Sequence, residues 1–96
     1  MKSRDDILLM LRQQKAVLSQ RYPIHRLALF GSWAREEQTP DSDIDILVDV
    51  SPSIGWKFVS LAEELEQLLG LKVDLVSSRA IRPALWKEIE SEIIDA

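Results

Sequence analysis

Two aspartates one residue apart, Asp43 and Asp45, stand at the head of an apolar run, "DIDILVDV". A third acid, Asp74, interrupts a second run, "KVDLV". Side chains on a strand alternate faces, so Asp43 and Asp45 share one face while Ile44, Ile46 and Val48 take the other. Their Cα atoms would lie about 6 to 7 Å apart, where two like charges destabilise the fold unless something positive compensates. No Lys or Arg is near enough in sequence to be the obvious partner. A hard divalent cation would supply the charge, and carboxylate oxygens are the ligands Mg²⁺ prefers. Taken alone, the pair reads more readily as two acids solvated at a strand's exposed end than as a metal site. If the strands bearing Asp45 and Asp74 are neighbours, all three acids can meet on one face. Three carboxylates can hold the two cations, about 3.5 to 4 Å apart, used in phosphoryl- and nucleotidyl-transfer sites.

A dozen residues before the acids, "LALFGSWAR" closes an apolar strand on Gly31-Ser32. Gly31 permits a tight turn and a close approach of backbone to ligand. Ser32 would open a helix whose free N–H groups favour phosphate, with Arg35 one turn further on as an added contact. Separately, Ser32 reads as a plain N-cap and Arg35 as a solvated helix residue. Together with the three acids they suggest a nucleotide-handling site.

Other motif readings fail on their own requirements. "DSDID" imitates the start of an EF-hand loop, but Ile46 falls where Gly is needed and Pro52 where Glu is needed. A P-loop needs Lys-Ser or Lys-Thr closing a Gly-rich turn, which this chain lacks. Ser32 lacks the flanks of a hydrolase nucleophile, and the lone His25 reads as a strand residue with a satisfied ring.

The elements that must position these residues follow from periodicity and punctuation. Ser3 with Asp6 three residues on marks a helix start, and Ile7, Leu8, Leu11 and Leu18 continue at helical spacing over residues 4 to 20. Tyr22-Pro23 stops it. A short strand spans 25 to 30, "SWAREE" gives one or two helical turns, and "QTPDS" is turn chemistry. The strand "DIDILVDV" follows, closed by Pro52 and Gly55. A second long helix runs from Trp56 to Leu69, with Gly70 as its stop. "LKVDLV" is a third strand. Pro83 opens a last helix carrying Leu85, Trp86, Ile89 and Ile93. The order α-β-α-β-α-β-α predicts an α+β fold with α/β-like alternation, a small mixed β-sheet packed with helices.

The 96 residues are expected to form a single domain, 1–96. Hydrophobic residues make up 46% and charged residues 29%, the mix of a soluble globular protein. A net charge of −4 argues against direct nucleic-acid binding, which usually leaves a basic footprint. With no cysteine, neither a disulfide framework nor a thiolate metal site is available. The charged start does not read as a signal peptide, and no apolar run approaches the roughly 20 residues of a membrane span. No membrane partner is expected, and a cytoplasmic location is the default.

The combination "LALFGSWAR…SDIDILVDV…KVDLV", from about residue 24 to 90, resembles the DNA polymerase β-type nucleotidyltransferase superfamily. The short length and Gly-Ser-x-Ala-Arg are most similar to the minimal nucleotidyltransferases, MNT. The resemblance implies the polymerase β-type nucleotidyltransferase fold. It implies that Gly31 and Ser32 bind a nucleoside triphosphate, ATP, while Asp43, Asp45 and Asp74 are catalytic and hold Mg²⁺. The residue usual after Arg35 is Gly, and here it is Glu36. By that resemblance, MNT proteins of this size are typically paired with a HEPN-domain ribonuclease toxin, and some neutralise it by moving AMP from ATP to a tyrosine. Larger relatives carry a helical domain that positions the acceptor, so here the acceptor is expected to arrive on another molecule. Trp33, Trp56 and Trp86 are candidate contacts with it, each with core packing as the plain alternative. The expectation is an Mg²⁺-dependent protein adenylyltransferase acting as an antitoxin in a hetero-oligomer. The alternatives are a non-catalytic antitoxin that covers its partner, and nucleotidyl transfer to a small molecule.

Overall fold

The computed structural model describes residues 2–96. Helix α1 (Arg4–Arg21) leads into strand β1 (Ile24–Phe30), the single turn α2 (Gly31–Ala34) and strand β2 (Ile44–Val50). Helix α3 (Lys57–Leu69), strand β3 (Val73–Ser77), helix α4 (Pro83–Ile89) and the short strand β4 (Ile94–Asp95) follow. The four strands form one sheet in the order β3-β2-β1-β4. The pair β2 and β3 is parallel, whereas β1 runs antiparallel to both β2 and β4, so the sheet is mixed as expected.

Local chemistry accounts for the helix ends. The Ser3 hydroxyl accepts from the Asp6 N–H at 3.2 Å, and the Asp6 carboxylate accepts from the Ser3 N–H at 2.9 Å. This reciprocal capping box satisfies two donors that a helix start would otherwise leave open. Those bonds to Ser3 hold the Asp6 carboxyl below its usual pKa. Pro83 occupies the first turn of α4, where its missing N–H is not needed.

The sheet is covered on both faces by different elements. Ile44, Ile46 and Val48 of β2 join Leu27 and Leu29 of β1, Ile7, Leu11 and Leu18 of α1, and Leu61, Leu65 and Leu69 of α3 in the main core. On the opposite face Ala28, Phe30, Leu47 and Ile89 form a smaller cluster, with Trp86 and Ile93 packed against it. Alternation along β2 places Asp45 on the same side as Leu47, the side of the smaller cluster. The main core anchors β2, and the thinner cover on the other face leaves room for polar side chains.

One expected element is different. The last helix ends at Ile89, and Ile93 lies outside it. The chain turns, with the Glu92 N–H donating to the Ile89 carbonyl at 2.9 Å, and re-enters the sheet as β4 beside β1. Ile93 then packs on the small cluster and Ile94 on the main core. Opposite faces for successive residues is strand alternation, and the Ile89/Ile93 spacing only imitated a helix. The three tryptophans also separate: Trp33 is buried, Trp86 half-buried, and Trp56 is 93% exposed.

Candidate active site

The three acids lie where three strand ends meet. Asp45 and Asp74 are direct Cα partners in the parallel β2–β3 register, and Asp45 is also opposite Phe30, the last residue of β1. Asp43 lies two residues before Asp45, just outside the strand, whose start is tied to β3 by the Ile44 N–H donating to the Lys72 carbonyl at 2.9 Å. The condition set by the sequence, that the strands of Asp45 and Asp74 be neighbours, is met. Asp43 and Asp74 are exposed and Asp45 is half-buried.

Burial and crowding act on Asp45 together. Desolvation, then the charges of Asp74 and Asp43, raise its pKa from 3.8 to about 6; Arg35 opposes the shift and Glu92 adds to it. The strand ends thus carry negative charge that no basic side chain offsets in full. In donor chemistry and charge, Asp43, Asp45 and Asp74 fit a hard divalent cation. With the side chains as they lie, no three acids or histidines among the described residues are close enough to grip one ion. Asp45 and Asp74 are nonetheless register partners on adjacent strands, which stand about 4.8 Å apart.

Gly31 follows β1 directly and sits against Asp45. A Cβ on Gly31 would lie 2.0 Å from Asp45 Oδ2 and 2.9 Å from its Cγ, and the residue has φ +75°. What the missing side chain of Gly31 lets approach its backbone is therefore the Asp45 side chain itself. Ser32 is the second residue of α2, not its cap; Phe30 occupies the cap position, without a side-chain hydrogen bond. The plain N-cap alternative for Ser32 is not what the structure shows, and the helix it was expected to open starts at Gly31. The turn instead begins one residue earlier, at the glycine, because Gly31 alone tolerates the positive φ that leaves the strand.

Arg35 caps the end of α2, its guanidinium bound to Glu92 at 2.8 Å and to Glu37 at 3.2 Å. Both carboxylates raise its pKa. Glu36, where relatives by resemblance carry Gly, has φ +59°. It therefore adopts the left-handed conformation that glycine accommodates most easily. Its carboxylate pairs with Arg4 at 2.8 Å. His25 is an exposed strand residue whose Nε2 lies 2.8 Å from Ser51 Oγ, as expected of a satisfied ring.

Glu92 was not singled out in the sequence. Its Oε1 accepts from the Gly31 N–H at 3.1 Å and its Oε2 from Arg35 Nη1 at 2.8 Å. Nothing local marks it, because its place depends on the turn after α4, which the helical reading extended through. A cavity of about 520 Å³ opens elsewhere, lined by Lys2, Trp33, Gln38, Thr39, Pro40, Ser42 and Leu71. None of the three acids lines it, so the carboxylates and the Gly31 turn, not the cavity, define the chemistry.

An apolar strand ending on Gly-Ser, with one acid just before the next strand, one within it and a third on its parallel neighbour, suits nucleotidyl transfer. The chain belongs to the nucleotidyltransferase domain family, which matches residues 11–96. A protein of Methanocaldococcus jannaschii named as a putative protein adenylyltransferase is 43% identical over 99 residues, covering 98% of both chains. A solved structure described as a putative minimal nucleotidyltransferase is 36% identical, with a TM-score of 0.72 over 92% of this chain and 93% of that one. A second, a toxin–antitoxin complex with AMP-PNP, is 26% identical, with a TM-score of 0.63 over 98% of this chain and 72% of that one. The protein is a nucleotidyltransferase of the minimal type.

Proposed function

We propose that this protein moves an adenylyl group from ATP to a hydroxyl of a partner protein, and by doing so acts as an antitoxin. The observation that carries the reading is the register pairing of Asp45 with Asp74, with Asp43 two residues away and Gly31 directly against Asp45. The relative named as a protein adenylyltransferase and the toxin–antitoxin neighbour with AMP-PNP support the donor and the kind of acceptor. A HEPN-type ribonuclease, modified on a tyrosine, is the partner that the family resemblance implies.

In this reading Asp43, Asp45 and Asp74 hold Mg²⁺, two ions by resemblance. When bound, Mg²⁺ supplies positive charge at the attacking and leaving oxygens of an in-line displacement. The Gly31–Ser32 turn and Arg35 hold the phosphates, the Gly31 N–H and the guanidinium being the donors aimed at them. The acceptor hydroxyl loses its proton to water as its oxygen bonds to the α-phosphorus, the bond from the α-phosphorus to the oxygen bridging to the β-phosphorus breaks, and pyrophosphate leaves with that oxygen. Trp56 and Val59, exposed at the start of α3, offer apolar surface for a protein partner to cover, which favours a protein acceptor over a small molecule.

The test is mass spectrometry of the partner toxin after incubation with this protein, ATP and Mg²⁺. The expected product is a toxin heavier by about 329 Da per added AMP, inactivated at sub-stoichiometric amounts of this protein, with no gain from the Asp43→Asn/Asp45→Asn variant. A toxin of unchanged mass that regains activity when this protein is removed would instead establish a steric antitoxin.

A further inference from the structure

Glu92 occupies the two donors that the proposed nucleotide site would offer to a phosphate. One carboxylate oxygen accepts from the Gly31 N–H and the other from Arg35. Only 15% of its side chain is exposed, and its charge adds to the field that raises the Asp45 pKa. A fourth acid beside three others is unfavourable unless specific donors hold it, and these two do. A carboxylate and a phosphate make the same charge-assisted bonds to a backbone N–H and a guanidinium.

The geometry points to Glu92 as an internal competitor for the triphosphate: an autoinhibitory carboxylate that fills the phosphate donors and must be expelled when a nucleoside triphosphate binds. The inference rests on the nucleotide reading of Gly31, Ser32 and Arg35. Glu92 is well placed for such a role because its backbone is fixed independently of the two bonds that hold its carboxylate. On one side the Glu92 N–H donates to Ile89, and on the other β4 is tied to β1 by the Ala96 N–H donating to the Leu27 carbonyl at 2.9 Å and by the Arg26–Asp95 pair. The carboxylate can swing out with β4 still paired. The Gly31 N–H and Arg35 Nη1 cannot serve the Glu92 carboxylate and a phosphate at once, so ATP that uses them must displace Glu92.

Calorimetric titration of the full chain with ATP in Mg²⁺ buffer tests this, using wild type, Glu92→Ala, Glu92→Gln, Glu90→Gln, Ser32→Ala and Arg35→Ala. A latch closed nine-tenths of the time weakens apparent affinity about tenfold, so Glu92→Ala should bind ATP about ten times more tightly than wild type. Glu92→Gln, neutral but still able to accept a hydrogen bond, should fall between them, and it carries the test if the alanine variant does not fold. Glu90→Gln removes an equal charge from an exposed neighbour and should stay within about twofold of wild type. If Ser32→Ala and Arg35→Ala weaken binding while both Glu92 variants bind no better than wild type, the latch is refuted and Glu92 serves only to position Arg35. An equal gain from Glu90→Gln also refutes it, reducing the effect to net charge. If Ser32→Ala and Arg35→Ala bind like wild type, the nucleotide site itself is wrong and the latch falls with it.

Discussion

Replacing Asp45 by Asn should make the metal-free protein more stable while abolishing transfer. The reasoning starts from the pKa of about 6 that burial and the neighbouring Asp74 and Asp43 give this group, against 3.8 for a free aspartate. A folded-state pKa above the unfolded one means that the native protein binds the proton more tightly. The penalty is therefore absent below pH 3.8, grows as pH rises towards about 6, and is complete above it. Two pKa units correspond to about 3 kcal/mol, and since Asp45 is only half-buried, solvent screening reduces this to about 1 to 2 kcal/mol. Asn has nearly the same shape and no charge.

The assay is thermal and urea unfolding of wild type and Asp45→Asn in EDTA, at neutral pH and again near pH 4. Each kcal/mol moves the midpoint of a domain this size by about 4 to 8 °C, so the variant should melt roughly 4 to 16 °C higher at neutral pH. The difference should shrink towards zero near pH 4, where the native wild type already carries the proton. Added Mg²⁺ should stabilise the wild type more than the variant, because a ligand that binds the native state alone raises its stability. A variant that is no more stable than wild type at neutral pH, or whose advantage persists unchanged in acid, would refute the electrostatic account.

Two further substitutions test the turn that carries the phosphate donors. Gly31→Ala forces a Cβ to within 2.0 Å of Asp45 Oδ2 at φ +75°, and should destabilise by about 1 to 3 kcal/mol with loss of ATP binding; a midpoint in urea equal to wild type would contradict it. Glu36→Gly and Glu36→Ala both lose the ion pair to Arg4, but only glycine fits φ +59° without strain, so the glycine variant should be the more stable of the two by about 1 kcal/mol. Equal melting of the two would show that the left-handed residue is not strained.

What could be read in the sequence was whatever depended on neighbours a few residues apart. The Ser3–Asp6 cap and the apolar face of α3 are local patterns, and both are present in the fold. The Asp45–Asp74 register depends on strand pairing across α3, so the sequence could pose it only as a condition. Ser32 looked like a cap because caps are usually Ser, whereas the cap position falls on Phe30 through the positive φ of Gly31. The β4 strand was illegible because two residues are too few to show a period, and its identity comes from pairing with β1. Glu92 was missed for the same reason: its partners, Gly31 and Arg35, lie 61 and 57 residues away in the chain.

The same cost that makes Asp45 a stability liability weighs between the enzyme and a protein that only covers its partner. A steric inhibitor needs a complementary surface, which Trp56 and Val59 could supply without any acid at the strand ends. It gains nothing from holding three carboxylates where burial and mutual repulsion push one of them to a pKa of about 6. Nor does it need a glycine set against that same acid, or an arginine linked to the glycine turn through Glu92. Unfavourable features that converge on one spot, each suited to a cation or a phosphate, are what a catalytic site requires. The stability released by Asp45→Asn is therefore also a measure of how much the fold gives up to keep its chemistry.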